Sequence, residues 1–205
     1  MKMSFSGGRP ETECGAGSTL ANTTNIRAWL PGLLRCLEVR WLLDAPCGDF
    51  NWMAHADLSG IDYLGADYDP EHIERSWSRS SYPAAFAPLT RGFVNIDIVA
   101  GQLPPADVML CRDFLQHLPN AVINIMLLNF LASKIRWLLA TSYSNAENVD
   151  IAAEGSFRPL NLLAPPFQFL PPHRWAADQP GSGRVLGLWS RCDVERAMSN
   201  DRSGK

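Results

Sequence analysis

The sequence predicts an α/β fold with a mostly parallel sheet, and two observations lead to this prediction. Short apolar runs of about five residues recur along the chain, and this length is typical of strands buried on both faces. Longer amphipathic stretches alternate with these runs, as in sheets with right-handed crossovers. The runs occupy residues 39–43, 63–66, 93–96, 108–111, 137–141 and 185–189.

Helix signals lie before and between these runs. Residues 22–37 place apolar side chains at helical spacing, although Pro31 is expected to kink or restart the helix. The sequence Asp-Pro-Glu at 69–71 suits the cap and first turn of a second helix. Residues 120–133 are apolar on nearly every side, which predicts a buried helix, and residues 52–58 are expected to be helical between the first two strands.

The two ends of the chain differ in character from its middle. Prolines interrupt residues 155–172, and the apolar run that follows favours a closing hairpin over another βα unit. We expect residues 1–21 to form a flexible arm or lid, residues 22–198 to form one domain, and residues 199–205 to be disordered.

Composition and charge exclude several functional classes. The net charge of −3, with scattered Lys and Arg, provides no basic field for nucleic acid. The five cysteines form no CxxC pair and have no His at metal-ligand spacing, so neither a disulfide framework nor a zinc site is expected. No apolar stretch resembles a signal peptide or reaches membrane-spanning length. We therefore expect a soluble, cytoplasmic protein without a nucleic-acid or membrane partner.

The stretch WLLDAPCGDFNW, residues 41–52, carries the clearest functional signal. A buried strand ends at Asp44, and the small-residue turn at Gly48 leads towards a helix, so the backbone can approach a ligand closely. Asp67 follows the second strand, 19 residues after Gly48, where a carboxylate in such folds accepts both hydroxyls of a ribose. These features predict a site for a nucleoside-containing cofactor.

The glycine pattern distinguishes between two such cofactors. A nicotinamide dinucleotide requires G-x-G-x-x-G around its pyrophosphate, but this loop has Pro46, Gly48 and Phe50 and thus only one glycine. Phosphate binding is therefore disfavoured.

The stretch LLDAPCGDFNWM resembles the first motif of class I S-adenosylmethionine-dependent methyltransferases, hydrophobic-hydrophobic-D-x-G-C-G-x-G. Asp44, Cys47 and Gly48 match this motif, whereas Pro46 and Phe50 replace two of its glycines. The form DAPCGDFxWM resembles that of a subgroup of small bacterial methyltransferases. The resemblance implies a Rossmann-like class I methyltransferase fold, with seven mostly parallel strands, the last antiparallel, and helices on both faces.

Stretches between residues 63 and 118 resemble the later motifs of the same family in the same order. The resemblance implies that Asp67 holds the ribose, that Tyr68 flanks the adenine, and that Asp97 accepts a hydrogen bond from the adenine amino group. The cofactor-binding residues that it implies are Asp44, Ala45, Pro46, Cys47, Gly48, Asp67, Tyr68, Asp97, Ile98, Cys111 and Arg112. The N-terminal stretch 14–27 forms either a simple arm or a lid whose Ser18, Thr19 and Arg27 close over the cofactor, with Arg27 pairing its carboxylate.

The implied chemistry requires little from the protein beyond positioning. The methyl group of a sulfonium is already electrophilic, and in-line placement of the acceptor can contribute roughly 7–11 kcal/mol without a metal. A hydroxyl acceptor would also need a general base. Asp113 and His117, four residues apart, are the candidates, and they share a face if that segment is helical.

The acceptor is less well specified than the cofactor. We expect methyl transfer to an oxygen of a small molecule or sugar, with S-adenosylhomocysteine as product, and residues 158–161 and Trp175 are candidates for the acceptor pocket. N-methylation, an NAD(P)-dependent oxidoreductase and a non-enzymatic S-adenosylmethionine-binding module remain the alternatives.

Overall fold

The computed structural model describes residues 10–80, 88–153 and 155–202, and this part of the chain holds seven strands and four α-helices. The helices are α1 (Thr24–Cys36), α2 (Pro70–Ser80), α3 (Asn120–Ala132) and α4 (Arg191–Arg202). The strands are β1 (Trp41–Asp44), β2 (Asp62–Asp67), β3 (Thr90–Asn95), β4 (Val108–Cys111), β5 (Trp137–Tyr143), β6 (Arg174–Gln179) and β7 (Arg184–Ser190).

All seven strands form one sheet in the order β3-β2-β1-β4-β5-β7-β6. Strands β1 to β5 pair in parallel, whereas β7 is antiparallel to both of its neighbours. The predicted mostly parallel sheet with an antiparallel last strand is therefore confirmed. The chain moves outward from β1 in one direction to β2 and in the other to β4, and at such a switch point the carboxyl ends of the strands border a crevice.

Two apolar cores cover the two faces of the sheet. Leu42 faces the core that holds Ile26 and Leu30 of α1, whereas Leu43 faces the core that holds Met126 of α3. Successive residues of the central strands are thus buried on opposite sides, which explains why their sequences are apolar without alternation.

Two predicted helices differ in detail from the observed ones. Pro31 lies inside one continuous α1 and does not interrupt it, because the burial of an apolar face that includes Leu30 and Leu34 outweighs one missing backbone hydrogen bond. The helix predicted at 52–58 is only a short 3-10 helix, Met53–His55, since so short a segment cannot offset the cost of helix nucleation.

The C-terminal helix α4 was not predicted from the sequence. It begins with a capping box in which Ser190 Oγ accepts from the Asp193 backbone N–H at 3.2 Å, and Asp193 Oδ2 accepts from the Ser190 N–H at 2.8 Å. Residues 199–202 are helical as the end of α4, in contrast to the disorder expected over 199–205, and residues 203–205 lie outside the described part. Among the described helices, none is long and apolar enough to cross a bilayer.

Candidate functional site

A cavity of about 240 Å³ lies at the carboxyl ends of β1, β2 and β4, where the switch point places it. Its walls come from the N-terminal arm, the loop after β1, the start of α2 and the segment after β4. The lining residues are Cys14, Ser18, Asp44, Pro46, Cys47, Gly48, Trp52, Asp67, Tyr68, His72, Arg112, Asp113, Phe114 and His117.

A backbone hydrogen bond and a required glycine fix the path of the loop after β1. The Cys47 N–H donates to the Ala66 carbonyl at 2.8 Å, which ties the loop to β2. Gly48 has φ 56°, and a Cβ there would stand 2.6 Å from the Cys14 sulfur, so the position needs glycine for both conformation and space.

Phe50 occupies a glycine position of the motif yet keeps a glycine-like backbone, with φ 58°. Its buried ring packs against Tyr63 and Phe93 at centroid distances of 5.1 Å and 5.0 Å. This aromatic packing offsets the strain of a left-handed non-glycine residue, of order 1–3 kcal/mol. The loop path is thus kept without the glycine.

Asp44 ends β1 as a buried carboxyl group on the cavity wall. The Tyr63 hydroxyl donates to its Oδ2 at 2.7 Å. Burial raises the pKa of Asp44 to about 7, although the Tyr63 hydrogen bond and the charge of Arg112 both act in the opposite direction. A cationic group in the cavity would therefore favour the ionised form of Asp44.

Asp67 ends β2 and is also buried. Its Oδ2 accepts from the Gly48 N–H at 2.9 Å, and its Oδ1 accepts from the Asp69 N–H at 3.0 Å. The His72 Nδ1 lies 3.3 Å from Oδ1 as an ion pair. The Asp67 carboxylate, and then the Cys14 sulfur, raise the pKa of His72 to about 10, so this imidazole is cationic at neutral pH.

Arg112, at the end of β4, belongs to a buried network of four charges. Its Nε and Nη2 donate to Asp178 Oδ1 at 3.1 Å and 2.9 Å, while the Arg184 Nε lies 3.0 Å from Asp178 Oδ2. The Arg184 Nη1 then donates to both oxygens of Asp113 at 3.2 Å. Two cations and two anions leave the network neutral, and it joins β4 to β6 and β7. Arg112 also donates to the Gly17 carbonyl at 2.8 Å, which attaches the arm.

Asp113 and His117 both line the cavity, but they do not share a helical face. Asp113 has φ 58° and precedes a 3-10 helix, Leu115–His117, so the helical-face argument was wrong. The Asp113 carboxylate is already engaged by Arg184. The His117 Nδ1 lies 3.1 Å from the Ser156 carbonyl, an oxygen that only accepts, so Nδ1 donates this hydrogen bond and Nε2 is the ring nitrogen left to accept from a ligand.

The N-terminal arm covers the cavity mouth through polar contacts. Thr12 Oγ1 and the Glu13 N–H donate to the two oxygens of the buried Asp49, at 3.0 Å and 3.2 Å. The Asn51 amide donates to the Ser18 carbonyl at 3.0 Å. The arm thereby brings Ser18 and Cys14 to the cavity wall.

Seven of the residues implied as cofactor ligands line the cavity, namely Asp44, Pro46, Cys47, Gly48, Asp67, Tyr68 and Arg112. Five do not. Ala45, Ile98 and Cys111 are buried in the apolar core, and the exposed Asp97 caps its own turn by accepting from the Val99 N–H at 2.9 Å. Arg27 donates to the Leu20 carbonyl at 2.8 Å instead of reaching the cavity.

Four residues of the cavity lining were not predicted as site residues, namely Cys14, Trp52, His72 and Phe114. Cys14 and His72 differ in how far the sequence indicates them. His72 stands three residues after Asp69 in a helix whose start was predicted, so helical spacing could have placed it beside the strand ends. Cys14 lies in a polar segment without periodicity, and its contact with His72 spans 58 residues of sequence. No local pattern predicts such a contact.

A second cavity, of about 540 Å³, lies between the proline-rich connection and the β6–β7 hairpin. Its apolar wall includes Leu163, Pro171, Pro172, Trp175, Val185 and Trp189. Trp175, which we expected near an acceptor, is 60% exposed here. Arg158 instead is buried and donates to the Gln116 carbonyl at 3.2 Å, so it serves the packing of the connection.

Comparison with known proteins identifies the fold. No protein-family model and no curated protein matches the chain. Among solved structures, the chain is similar to magnesium protoporphyrin IX methyltransferase from Synechocystis PCC 6803 with bound S-adenosylmethionine. That match has 15% identity and a TM-score of 0.59, over 84% of this chain and 79% of the other.

A second similar structure is human N-acetylserotonin methyltransferase in complex with S-adenosylmethionine. The identity is 13% and the TM-score 0.54, over 85% of this chain but only 50% of the human one. At these identities the likeness concerns the fold alone. The predicted Rossmann-like class I methyltransferase fold is confirmed.

The substitution Asp44→Asn should increase stability above neutral pH. Because burial raises the pKa of Asp44, the folded state holds a proton that the unfolded state has released, so wild-type stability falls as pH rises from about 4 to 7. The variant avoids this loss, at most roughly 4 kcal/mol. Urea unfolding at several pH values measures the effect. Equal stability of the two proteins at pH 8 would contradict a raised pKa of Asp44.

The substitution Asp178→Asn should destabilise the fold by about 3–5 kcal/mol, because two buried arginines lose the charge between them. The control is Asp57→Asn, which breaks the partly exposed pair with Arg35 and should cost about 1 kcal/mol or less. Chemical denaturation of both variants gives the comparison, and similar costs would show that the network adds no more than a surface ion pair.

Proposed function

We propose that this protein binds S-adenosylmethionine and transfers its methyl group to a small-molecule acceptor, releasing S-adenosylhomocysteine. One observation supports this proposal above the others. Two buried carboxyl groups, Asp44 and Asp67, end neighbouring parallel strands and face one cavity, and a loop with a sterically required glycine runs between them.

The polar side chains of the cavity suit the methionine part and the ribose of this cofactor. Asp44 would hold the ammonium group of the methionine part, since a cation compensates the cost of its buried charge. Asp67 would hold the ribose hydroxyls by exchanging its present contacts. Tyr68 is 69% exposed at the rim, where it would flank the adenine. Arg112 is fully engaged by Asp178 and would shape the wall without a direct charge contact.

The bound cofactor supplies an electrophilic methyl group on a sulfonium. The residues of this chain would orient the acceptor, exclude water and receive the acceptor's proton. His117 is the better base, because its Nε2 is left to accept from a ligand whereas the Asp113 carboxylate is paired with Arg184. Proton removal of this kind typically contributes 10²–10⁴-fold to the rate.

The described part of the arm, residues 10–21, would act as a lid over the bound cofactor. A cavity of about 240 Å³ is smaller than the range of about 300–1,000 Å³ that is usual for ligand pockets, and the arm supplies part of its wall. We infer that the arm moves outward as the cofactor enters. Its attachment by polar contacts, without a large apolar face, is consistent with such movement.

The second cavity favours an acceptor with an apolar body over a sugar. It lies at the hairpin that pairs with β5, and Ser142 at the end of β5 contributes to its wall beside Trp175. An aromatic or aliphatic acceptor would cover the exposed indole and present a hydroxyl or amine towards His117.

The net charge of −3 offers no attraction for nucleic acid, and the free cysteines suit a reducing cytoplasm.

Calorimetric titration tests the cofactor assignment. S-adenosylhomocysteine should bind the wild type, and Asp67→Asn should weaken binding about 10- to 100-fold through the loss of charge-assisted hydrogen bonds. The matched control is Asp69→Asn, which retains a capping side chain for α2 and should bind normally. Heat with NAD(P)H and none with S-adenosylhomocysteine would replace the proposal with an oxidoreductase.

Methyl transfer itself should depend on His117. With labelled cofactor and a panel of apolar hydroxyl and amine acceptors, His117→Gln should reduce kcat by about 10²–10⁴-fold for a hydroxyl acceptor, while cofactor affinity stays unchanged. His55→Gln, an exposed histidine outside the cavity lining, is the control. Cofactor binding without any methylated product in mass spectrometry would indicate a binding module without turnover.

A further inference from the structure

Three side chains on the cavity wall form a chain of contacts, and two of them, Cys14 and His72, have no role in the proposed methyl transfer. The Cys14 sulfur lies 3.8 Å from His72 Nε2, and His72 Nδ1 lies 3.3 Å from Asp67 Oδ1. The Asp49 backbone N–H also donates to the Cys14 sulfur, at 3.2 Å. The order thiol, imidazole, carboxylate is the order found around activated nucleophiles.

The direction of these contacts places two donors on the sulfur. A backbone N–H can only donate, so the sulfur accepts from Asp49. The His72 ring lies between the sulfur and the Asp67 carboxylate, which raises the pKa of His72 and so favours a protonated Nε2 towards the sulfur. Donors of this kind stabilise the negative charge that a sulfur carries when it attacks as a nucleophile.

The other cysteines provide internal references. Cys47 and Cys111 are buried, and burial raises the pKa of both thiols well above the ordinary value. Cys36 and Cys192 are exposed. Cys14 is half-buried, so accessibility alone ranks it below the two exposed thiols, and any higher reactivity must come from its surroundings.

We propose that Cys14 is a nucleophile that undergoes thiol–disulfide exchange with low-molecular-weight disulfides. The Cys14 thiolate attacks one sulfur of the disulfide, the S–S bond of that molecule breaks, and a new bond forms to Cys14. The Cys14 sulfur is oxidised, and the departing thiolate carries away the electron pair and takes a proton from solvent.

Such a modification would occupy the cavity. The Cys14 sulfur fits against Gly48, with only 2.6 Å to the position that a Cβ would take there. The side towards Gly48 therefore has no room for an attached group, but Cys14 is also part of the cavity wall. A group attached to Cys14 would fill space that the cavity offers to a ligand.

The test compares the five thiols of the folded, full-length protein during treatment with glutathione disulfide at neutral pH. Peptide mass spectrometry should show Cys14 modified at least about 10-fold faster than Cys36 and Cys192, because the Asp49 N–H and His72 stabilise the attacking Cys14 sulfur. In urea the rates should converge. A Cys14 rate no higher than that of the exposed thiols in the folded protein would overturn the proposal.

A variant isolates the role of the imidazole. His72→Gln should lower the Cys14 rate to that of Cys36 or below and leave Cys36 unchanged, with thermal melting used to verify the fold. An unchanged Cys14 rate in the folded variant would also overturn the proposal. No adenosyl ligand is present in either measurement, so these results are independent of the proposed methyl transfer.

Discussion

The buried charge network around Asp178 is the constraint on which the site depends. It places two arginines from different strands on one fully buried carboxylate, and it continues through Arg184 to Asp113. Arg112, Asp178 and Arg184 are buried, and buried charges are tolerated only when each has a partner, so the relative position of β4 and the late hairpin is narrowly defined. The first cavity lies at the end of β4 and the second lies against the hairpin, and the network therefore fixes the two cavities relative to each other.

The same network explains how the cavity can carry uncompensated negative charge. Arg112 has its guanidinium directed to Asp178 and stacked over the Trp52 ring at 5.3 Å, which leaves Asp44 without a direct cationic partner. Asp44 consequently retains a pKa near 7. A site arranged in this way gains most from a ligand that brings its own cation to Asp44, because Asp44 has no ion pair among the described residues, whereas Asp67 is already paired with His72.

Much of the fold could be predicted from the sequence, because each central strand is a short apolar run and the end of a parallel strand points to the crevice. Asp44, Gly48 and Asp67 were found for this reason. Residues assigned by resemblance beyond the strand ends, such as Arg27 and Asp97, bond locally instead. Phe50 shows that a motif position does not always require glycine. Its positive φ is disfavoured for a residue with a side chain, but the packing of its ring against Tyr63 keeps the loop in this conformation. The contacts of the arm could not be predicted, because hydrogen bonds between polar residues far apart in sequence produce no periodic sequence pattern.

These polar contacts also determine how the arm can move. A hydrogen bond contributes only about 0.5–1.5 kcal/mol net when water can replace it, so an arm held mainly by such bonds opens at moderate cost and closes again with the same partners. The apolar core takes little part, because of the arm residues 10–21 only Leu20 is among the side chains packed against a core cluster, the one that holds Ile26 and Leu30. The arm thus links two events at one place: Cys14 and Ser18 complete the cavity when the arm is closed, and the Cys14 thiol borders the same space that a ligand would fill. A ligand bound in this cavity must therefore also protect the thiol, since both use the same wall.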